Sequence, residues 1–233
     1  MNWSICYEVG LNHMGSRKEL IRIISTIIKA NINVAVSIQI REESYYKNNK
    51  SYLLKVEDYI HVQKLCKKAG IKLGFAIGEI NDLEYFKKNK INPSFIKVLS
   101  IATKNISFVK KVKKKFSCPI FYSTGHSSIK YISKYLLPIM KNTDYLIHTS
   151  FSKEVIKQNI NKMILMKSIY SNISYGLHCH KTTPIFTAIS GGAKNIFVYV
   201  GNKDLNLKDK LHAIDTREIK DFYKMCSDCF QSV

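Results

Sequence analysis

Carboxylates are scarce in this 233-residue chain: 17 Asp and Glu stand against 37 Lys and Arg, for a formal net charge of +20. Arginine is scarcer still, with only Arg17, Arg22, Arg41 and Arg217, so lysine carries the charge. Reading base edges and gripping phosphates in two-pronged fashion is mainly the work of the guanidinium fork. Lysines scattered over helix faces therefore predict a solvated surface without specific nucleic-acid recognition, although the excess draws anionic substrates. The 4 prolines and 10 glycines are too few for a low-complexity or collagen-like chain. No Pro/Gly/Ser-rich linker interrupts the sequence, so residues 1–233 read as one domain without a C-terminal appendage. No apolar run approaches the roughly 18 residues of a membrane span, and Met1-Asn2-Trp3-Ser4 lacks the basic and apolar regions of an export signal. A cytoplasmic setting with no membrane partner is expected. Cys6, Cys66, Cys118, Cys179, Cys226 and Cys229 are then expected as free thiols. The Cys226-x-x-Cys229 pair has no second pair beside it and reads as a helix-end coincidence.

What is abundant is apolar and aromatic residues, 45% and 11% of the chain, which excludes wholesale disorder. They fall in a repeating alternation of short apolar runs and amphipathic stretches. Strands are predicted over Ser4–Val9, Val34–Ile40, Lys72–Ile77, Phe95–Ser100, Pro119–Thr124, Tyr145–Thr149, Ile173–Cys179 and Asn195–Val200. Between and after them, helices are predicted over Arg17–Ala30, Val56–Ala69, Asp82–Lys88, Ile106–Phe116, Ile129–Met140, Lys153–Lys167, Pro184–Ser190 and Thr216–Met225. Helical crossovers favour parallel pairing, and buried parallel strands are continuously apolar. An open doubly wound sheet and a closed barrel both satisfy the pattern. Eight units in a chain near the usual barrel length favour a single (β/α)₈ TIM barrel.

Polar chemistry sits just after the predicted strands. The first runs into Glu8-Val9-Gly10-Leu11-Asn12-His13-Met14-Gly15-Ser16, where glycines allow a tight turn and Ser16 reads as a helix N-cap. A carboxylate, an amide and an imidazole so close together suit a polyhydroxylated ligand. The fifth delivers Tyr122-Ser123-Thr124-Gly125-His126-Ser127-Ser128, which reads either as an anion cradle at a helix N-terminus or as an ordinary cap. Lys97 in strand four either adds a charge there or borders the core with its head in water. The seventh ends in His178-Cys179-His180; alternation puts both imidazoles on one face, a workable spacing for a divalent metal, with His148 at the end of strand six as a third candidate.

Glu8-x-Gly10-x-Asn12-His13-x-Gly15 resembles the sialic acid synthase family. Collinear likenesses follow at Pro119-Ile-Phe-Tyr-Ser-Thr-Gly125, at Ile189-Ser-Gly-Gly-Ala-Lys-Asn-Ile196, and at His212-Ala-Ile-Asp-Thr-Arg-Glu-Ile219. The resemblance implies a (β/α)₈ barrel that condenses phosphoenolpyruvate with an N-acetylated amino sugar, as a carbon–carbon bond-forming transferase aided by a divalent Mn or Zn ion. It matches Glu8 to the glutamate that holds the amino sugar, and Gln39, after a one-residue insertion, to a glutamine near the substrates. His180 matches the first metal-binding histidine. Asn12, His13, Lys97, Ser123 and Thr124 complete the expected substrate contacts, with Glu8 and His180 as the expected catalytic pair.

The chain also departs from that pattern. Ser37 stands where the family's phosphoenolpyruvate-contacting lysine is expected, and Tyr199 stands at its second metal histidine. His178 and Cys179 replace a serine and an aspartate, so a rearranged site of His178, His180 and His148 is the expected metal centre. The family's antifreeze-like C-terminal domain is not expected within residues 1–233, leaving a homo-oligomer or a separate partner domain to supply its role. Two other readings remain open. The His-x-His also resembles the metal pair of pyruvate-type aldolases, which would make the chain a metal-dependent lyase on a 2-oxo acid. Ser37 and Tyr199 also suit a non-catalytic barrel that binds a sugar or a partner.

Overall fold

The computed structural model describes residues 4–79 and 83–233. Eight parallel strands follow one another around a closed ring: β1 Ile5–Gly10, β2 Ala35–Ile40, β3 Lys72–Ile77, β4 Phe95–Val98, β5 Ile120–Ser123, β6 Tyr145–Thr149, β7 Ile173–Gly176 and β8 Ile196–Gly201. Pairing of β1 with β8, Ile5 opposite Ile196 and Glu8 opposite Tyr199, closes the barrel. A two-residue strand, β9 (Ile214–Asp215), adds to the outer end of β8. The helices are α1 Arg17–Ala30, α2 Glu43–Asn48, α3 Val56–Lys68, α4 Glu84–Lys88, α5 Ile106–Lys115, α6 Ile129–Tyr131, α7 Ile160–Ile169, α8 Thr183–Ser190 and α9 Ile219–Gln231. None of the described helices is long and apolar enough to cross a membrane.

Local chemistry explains the element ends. Ser16 Oγ accepts the Glu19 N–H at the start of α1, and Asn31 closes it in the left-handed conformation. Its buried face is Leu20, Ile23, Ile24 and Ile27, at helical spacing. The stretch predicted as one helix over Ile129–Met140 is instead α6, a π turn over Ile132–Leu136 and a 3₁₀ turn over Leu137–Ile139. Pro138, without an N–H, cannot continue an α-helix there. The stretch predicted from Lys153 has a 3₁₀ turn, Val155–Gln158, and then a left-handed Asn159 that caps α7. Asp82, the predicted start of the fourth helix, lies outside the described residues. All six cysteines are free.

Strand alternation divides the core in two. Outward-facing Ile5, Tyr7 and Val9 of β1 pack with the helices, and the Tyr7 hydroxyl reaches the Ile219 carbonyl at 2.8 Å. Inward-facing Cys6, Ala35, Phe95, Phe121, Tyr145, Ile147 and Phe197 fill the barrel. Phe121 stacks on Tyr145 at 4.6 Å and meets Phe197 edge-on at 5.0 Å. Gly74 makes room for this filling, because a Cβ there would lie 2.3 Å from the Phe95 ring. Gly74→Ala is therefore expected to cost about 1–3 kcal/mol by overpacking. Thermal unfolding checks this, and Gly74→Ala combined with Phe95→Leu is expected to recover part of the loss.

Candidate active site

The inward parity that fills the barrel also sets its upper layer. Two residues beyond Cys6, Ala35, Phe95, Phe121 and Phe197 stand Glu8, Ser37, Lys97, Ser123 and Tyr199, at the C-terminal end of the barrel where such folds keep their chemistry. Lys97 Nζ donates to Glu8 Oε1 at 2.6 Å and to Oε2 at 2.7 Å, and Ser37 Oγ donates to Oε1 at 3.3 Å. Both charged side chains are only 3% exposed. Burial of either charge alone is costly, so the pair is held together by the absence of water as much as by attraction. The Lys97 ammonium also lies 5.2 Å from the Phe197 ring centroid.

Above this pair lies a cavity of about 360 Å³. Its lining includes the polar side chains Arg41, Lys97, Lys208, Gln39 and Ser123 and the rings of His126, Phe151, His178 and Tyr199. The Ser123 and Tyr45 hydroxyls are buried with no hydrogen-bond partner among the described residues, which leaves both available to a ligand. Arg41 lies over the Tyr45 ring at 4.2 Å and pairs with Glu42 at 2.7 Å. Burial, then the Lys97 charge and His212, push the His178 imidazole down to about 3, so it is neutral at neutral pH. A wider cleft of about 630 Å³ lies outside the mouth, between Val155–Asn161 and the start of α8. Among the described residues no carboxylate or imidazole lines it, so the smaller cavity is the chemical one.

Several sequence-predicted site residues support the mouth from outside the cavity. Asn12 Nδ2 donates to the Val200 carbonyl at 3.1 Å, and its Oδ1 accepts the Asp209 N–H at 3.0 Å. That amide ties the loop after β8 to the barrel. His13 Nδ1 accepts the Gly15 N–H at 2.9 Å, which leaves its proton on a buried Nε2. Thr124 Oγ1 donates to the Ile147 carbonyl at 2.9 Å. The predicted anion cradle is also closed: Gly125 N–H donates to Ser100 Oγ at 3.1 Å, Thr124 N–H to the Ile147 carbonyl at 2.9 Å, and Ser128 Oγ caps α6.

The three candidate metal histidines do not converge. β7 ends at Gly176, so His178 and His180 lie beyond the pleat on which their shared face depended. His178 lines the cavity, whereas His180 is exposed with Nδ1 2.6 Å from the Lys153 carbonyl. His148 is buried, its Nε2 donating to the Gln158 carbonyl at 2.9 Å. Among the described residues, no three His, Cys, Asp or Glu lie together as a metal site. The donors present do not fit the divalent ion that the resemblance implies.

Residues missed from the sequence are Arg41, Tyr45, Lys208, Asp209 and His212. Arg41, a rare arginine just past strand two, carried a readable signal. The others lie on loops or a short helix, where no periodicity marks which side chain turns inward.

This geometry defines a (β/α)₈ barrel with a mixed polar and aromatic cavity at its C-terminal mouth. The chain belongs to the NeuB family, whose model matches residues 22–233. That span begins after the Glu8 motif, so the match does not depend on it. Among solved structures, the barrel is similar to an N-acetylneuraminic acid (sialic acid) synthetase from Leptospira borgpetersenii serovar Hardjo-bovis, at TM-score 0.87 and 20% identity over 99% of this chain and 85% of that one. It is also similar to the spore coat polysaccharide biosynthesis protein SpsE of Bacillus subtilis, at TM-score 0.81 and 17% identity over 98% of this chain and 68% of that one. A truncated 3-deoxy-D-arabino-heptulosonate 7-phosphate synthase from Thermotoga maritima follows at TM-score 0.73 and 13% identity, over 99% of this chain and 87% of that one. No curated protein sequence matched.

Two outcomes are expected of the site. Lys97→Met strands a buried carboxylate and is expected to destabilise the barrel by about 3–5 kcal/mol. Denaturant unfolding checks this, and Glu8→Gln combined with Lys97→Met is expected to recover much of the loss. Burial pushes His13 from its ordinary 6.5 down to about 4. Between those values the unfolded chain takes up a proton that the folded His13 refuses, so the His13 contribution to stability is constant above pH 6.5 and falls toward pH 4. The His13 share of that loss is on the order of 3 kcal/mol. His178, held lower still, adds to the same slope, so His13→Gln is expected to make the dependence of unfolding free energy on pH shallower in that window without abolishing it.

Proposed function

We propose that this chain is a sialic acid synthase-like enzyme of sugar biosynthesis that condenses phosphoenolpyruvate with an N-acetylated amino sugar to a nonulosonic acid. The observation that carries the reading is the Glu8–Lys97 pair beneath a cavity rimmed by Arg41 and Lys208. It gains weight from membership of the NeuB family.

In this reading Arg41 and Lys208 hold the phosphate and carboxylate of the enol substrate, as cations that can bind them by charge-assisted hydrogen bonds. The free Ser123 hydroxyl donates to one of these oxygens. Glu8 spends three of its roughly four acceptor positions on Lys97 and Ser37 and keeps one for a sugar hydroxyl. The enol carbon forms a bond to the aldehyde carbon of the open-chain sugar. The aldehyde oxygen gains negative charge, and the Lys97 ammonium, already fixed in place, stabilises it without reorganisation. Water then adds to the cationic centre left on the former enol ester carbon, and phosphate leaves that carbon with its bridging oxygen.

Purified chain mixed with phosphoenolpyruvate and N-acetylmannosamine or a related amino sugar is expected to release inorganic phosphate only when both substrates are present. Arg41→Gln is expected to lower kcat/KM for phosphoenolpyruvate by about 10- to 100-fold, the worth of a hydrogen bond to a charged group. Phosphate release without sugar, or none across an amino-sugar panel, overturns the reading.

A further inference from the structure

Five rings stand in mutual contact at the cavity, four of them lining it and His212 packed behind them. His126 stacks on Phe151 at 4.6 Å, Phe151 meets His178 at 5.2 Å, and His178 meets Tyr199 at 5.6 Å and His212 at 5.2 Å. Tyr199 and His212 close the group edge-to-face at 5.0 Å. The rings come from β8 and from the loops after β5, β6, β7 and β8, so the wall is a product of the closed barrel. The backbone makes room for it. Gly10 holds φ at +55°, and a Cβ there would lie 2.5 Å from the Tyr199 ring. Asp209, anchored by Asn12, places Oδ1 3.5 Å from His212 Nε2.

Tyr199 stands where the resemblance expects a metal-binding histidine, and His180, the other expected ligand, is turned outward onto the Lys153 carbonyl. A phenol ring packed among imidazoles offers flat, weakly negative faces, and among the described residues no three His, Cys, Asp or Glu come together there to hold an ion. Such faces suit the C–H side of a sugar, while the cations and hydroxyls of the same cavity suit its oxygens and a bound anion.

We propose that in this chain the aromatic wall of Phe151, His178 and Tyr199 takes the place of a resident divalent cation: it stacks on the carbon face of the amino sugar, and the site binds its ligand without metal. The stacking half rests on the function proposed above; the metal-free half does not.

The test has two arms on the full chain. In the first, protein expressed in Mn- and Zn-supplemented medium and purified without chelators is assayed for metal and melted with EDTA, Mn²⁺ or Zn²⁺. Substoichiometric metal and an unchanged Tm are expected, since binding to the folded state alone raises Tm. One equivalent of metal, or a Tm that falls in EDTA, overturns the metal-free half. In the second, N-acetylmannosamine is titrated calorimetrically in EDTA. Binding is expected to persist, to weaken about tenfold in Phe151→Ala and Tyr199→Ala, and to be retained in Tyr199→Phe, which keeps the ring. Binding that appears only after Mn²⁺ is added, or alanine variants that bind as the parent does, overturns the wall's role. No sugar binding with or without metal overturns the stacking half together with the substrate reading, and the first arm still decides the metal.

Discussion

Glu8 and Lys97 stand on β1 and β4, strands that are not neighbours, so their ion pair spans the inside of the barrel and ties one side to the other. Neither charge is tolerable there alone, and both side chains are almost wholly buried. The rest of the upper layer is arranged around that constraint: Ser37 completes the carboxylate's hydrogen bonds, Phe197 lies under the ammonium, and the cavity opens above both. Aromatic filling below makes the pair possible. Phe95, Phe121 and Phe197 exclude water from the lower barrel, so the electrostatics of the layer above are strong and local.

The mouth is built by division of labour among loops. The turn after β1 supplies no cavity-lining polar group of its own from Asn12 or His13, yet Asn12 bonds both β8 and the Asp209 backbone and so holds the post-β8 loop, with Lys208, over the opening. The turn after β5 spends its N–H groups on Ser100 and Ile147. Residues that look like ligand contacts in one dimension thus become supports. Cavity contacts come partly from segments with no regular pattern, such as Tyr45 and Lys208.

Element order was legible because burial imposes period two on strands and 3.6 on helices, and α1 displays this in Leu20, Ile23, Ile24 and Ile27. Strand ends were less legible. β7 reads on to Cys179 because Leu177 and Cys179 are fully apolar and buried, although the hydrogen-bonded ladder stops at Gly176. Burial continues where pleating does not, and the inferred pairing of His178 with His180 fails for that reason. Glu8 was legible from strand alternation and Gln39 from the family resemblance, and in the barrel Lys97 and Ser123 share the same inward parity. The five-ring wall was not, since its members are drawn from strand and loop positions scattered from His126 to His212.

By itself, then, the sequence determined the eightfold alternation, the barrel that such an alternation favours, and which strand residues face inward, because these follow from short-range periodicity and hydrophobicity. Only the tertiary structure decided what those residues do: that Glu8 and Lys97 neutralise one another, that Asn12 anchors a loop, and that His148, His178 and His180 part company. Those outcomes depend on distances across a closed ring between residues as many as 197 positions apart, and no local pattern encodes them.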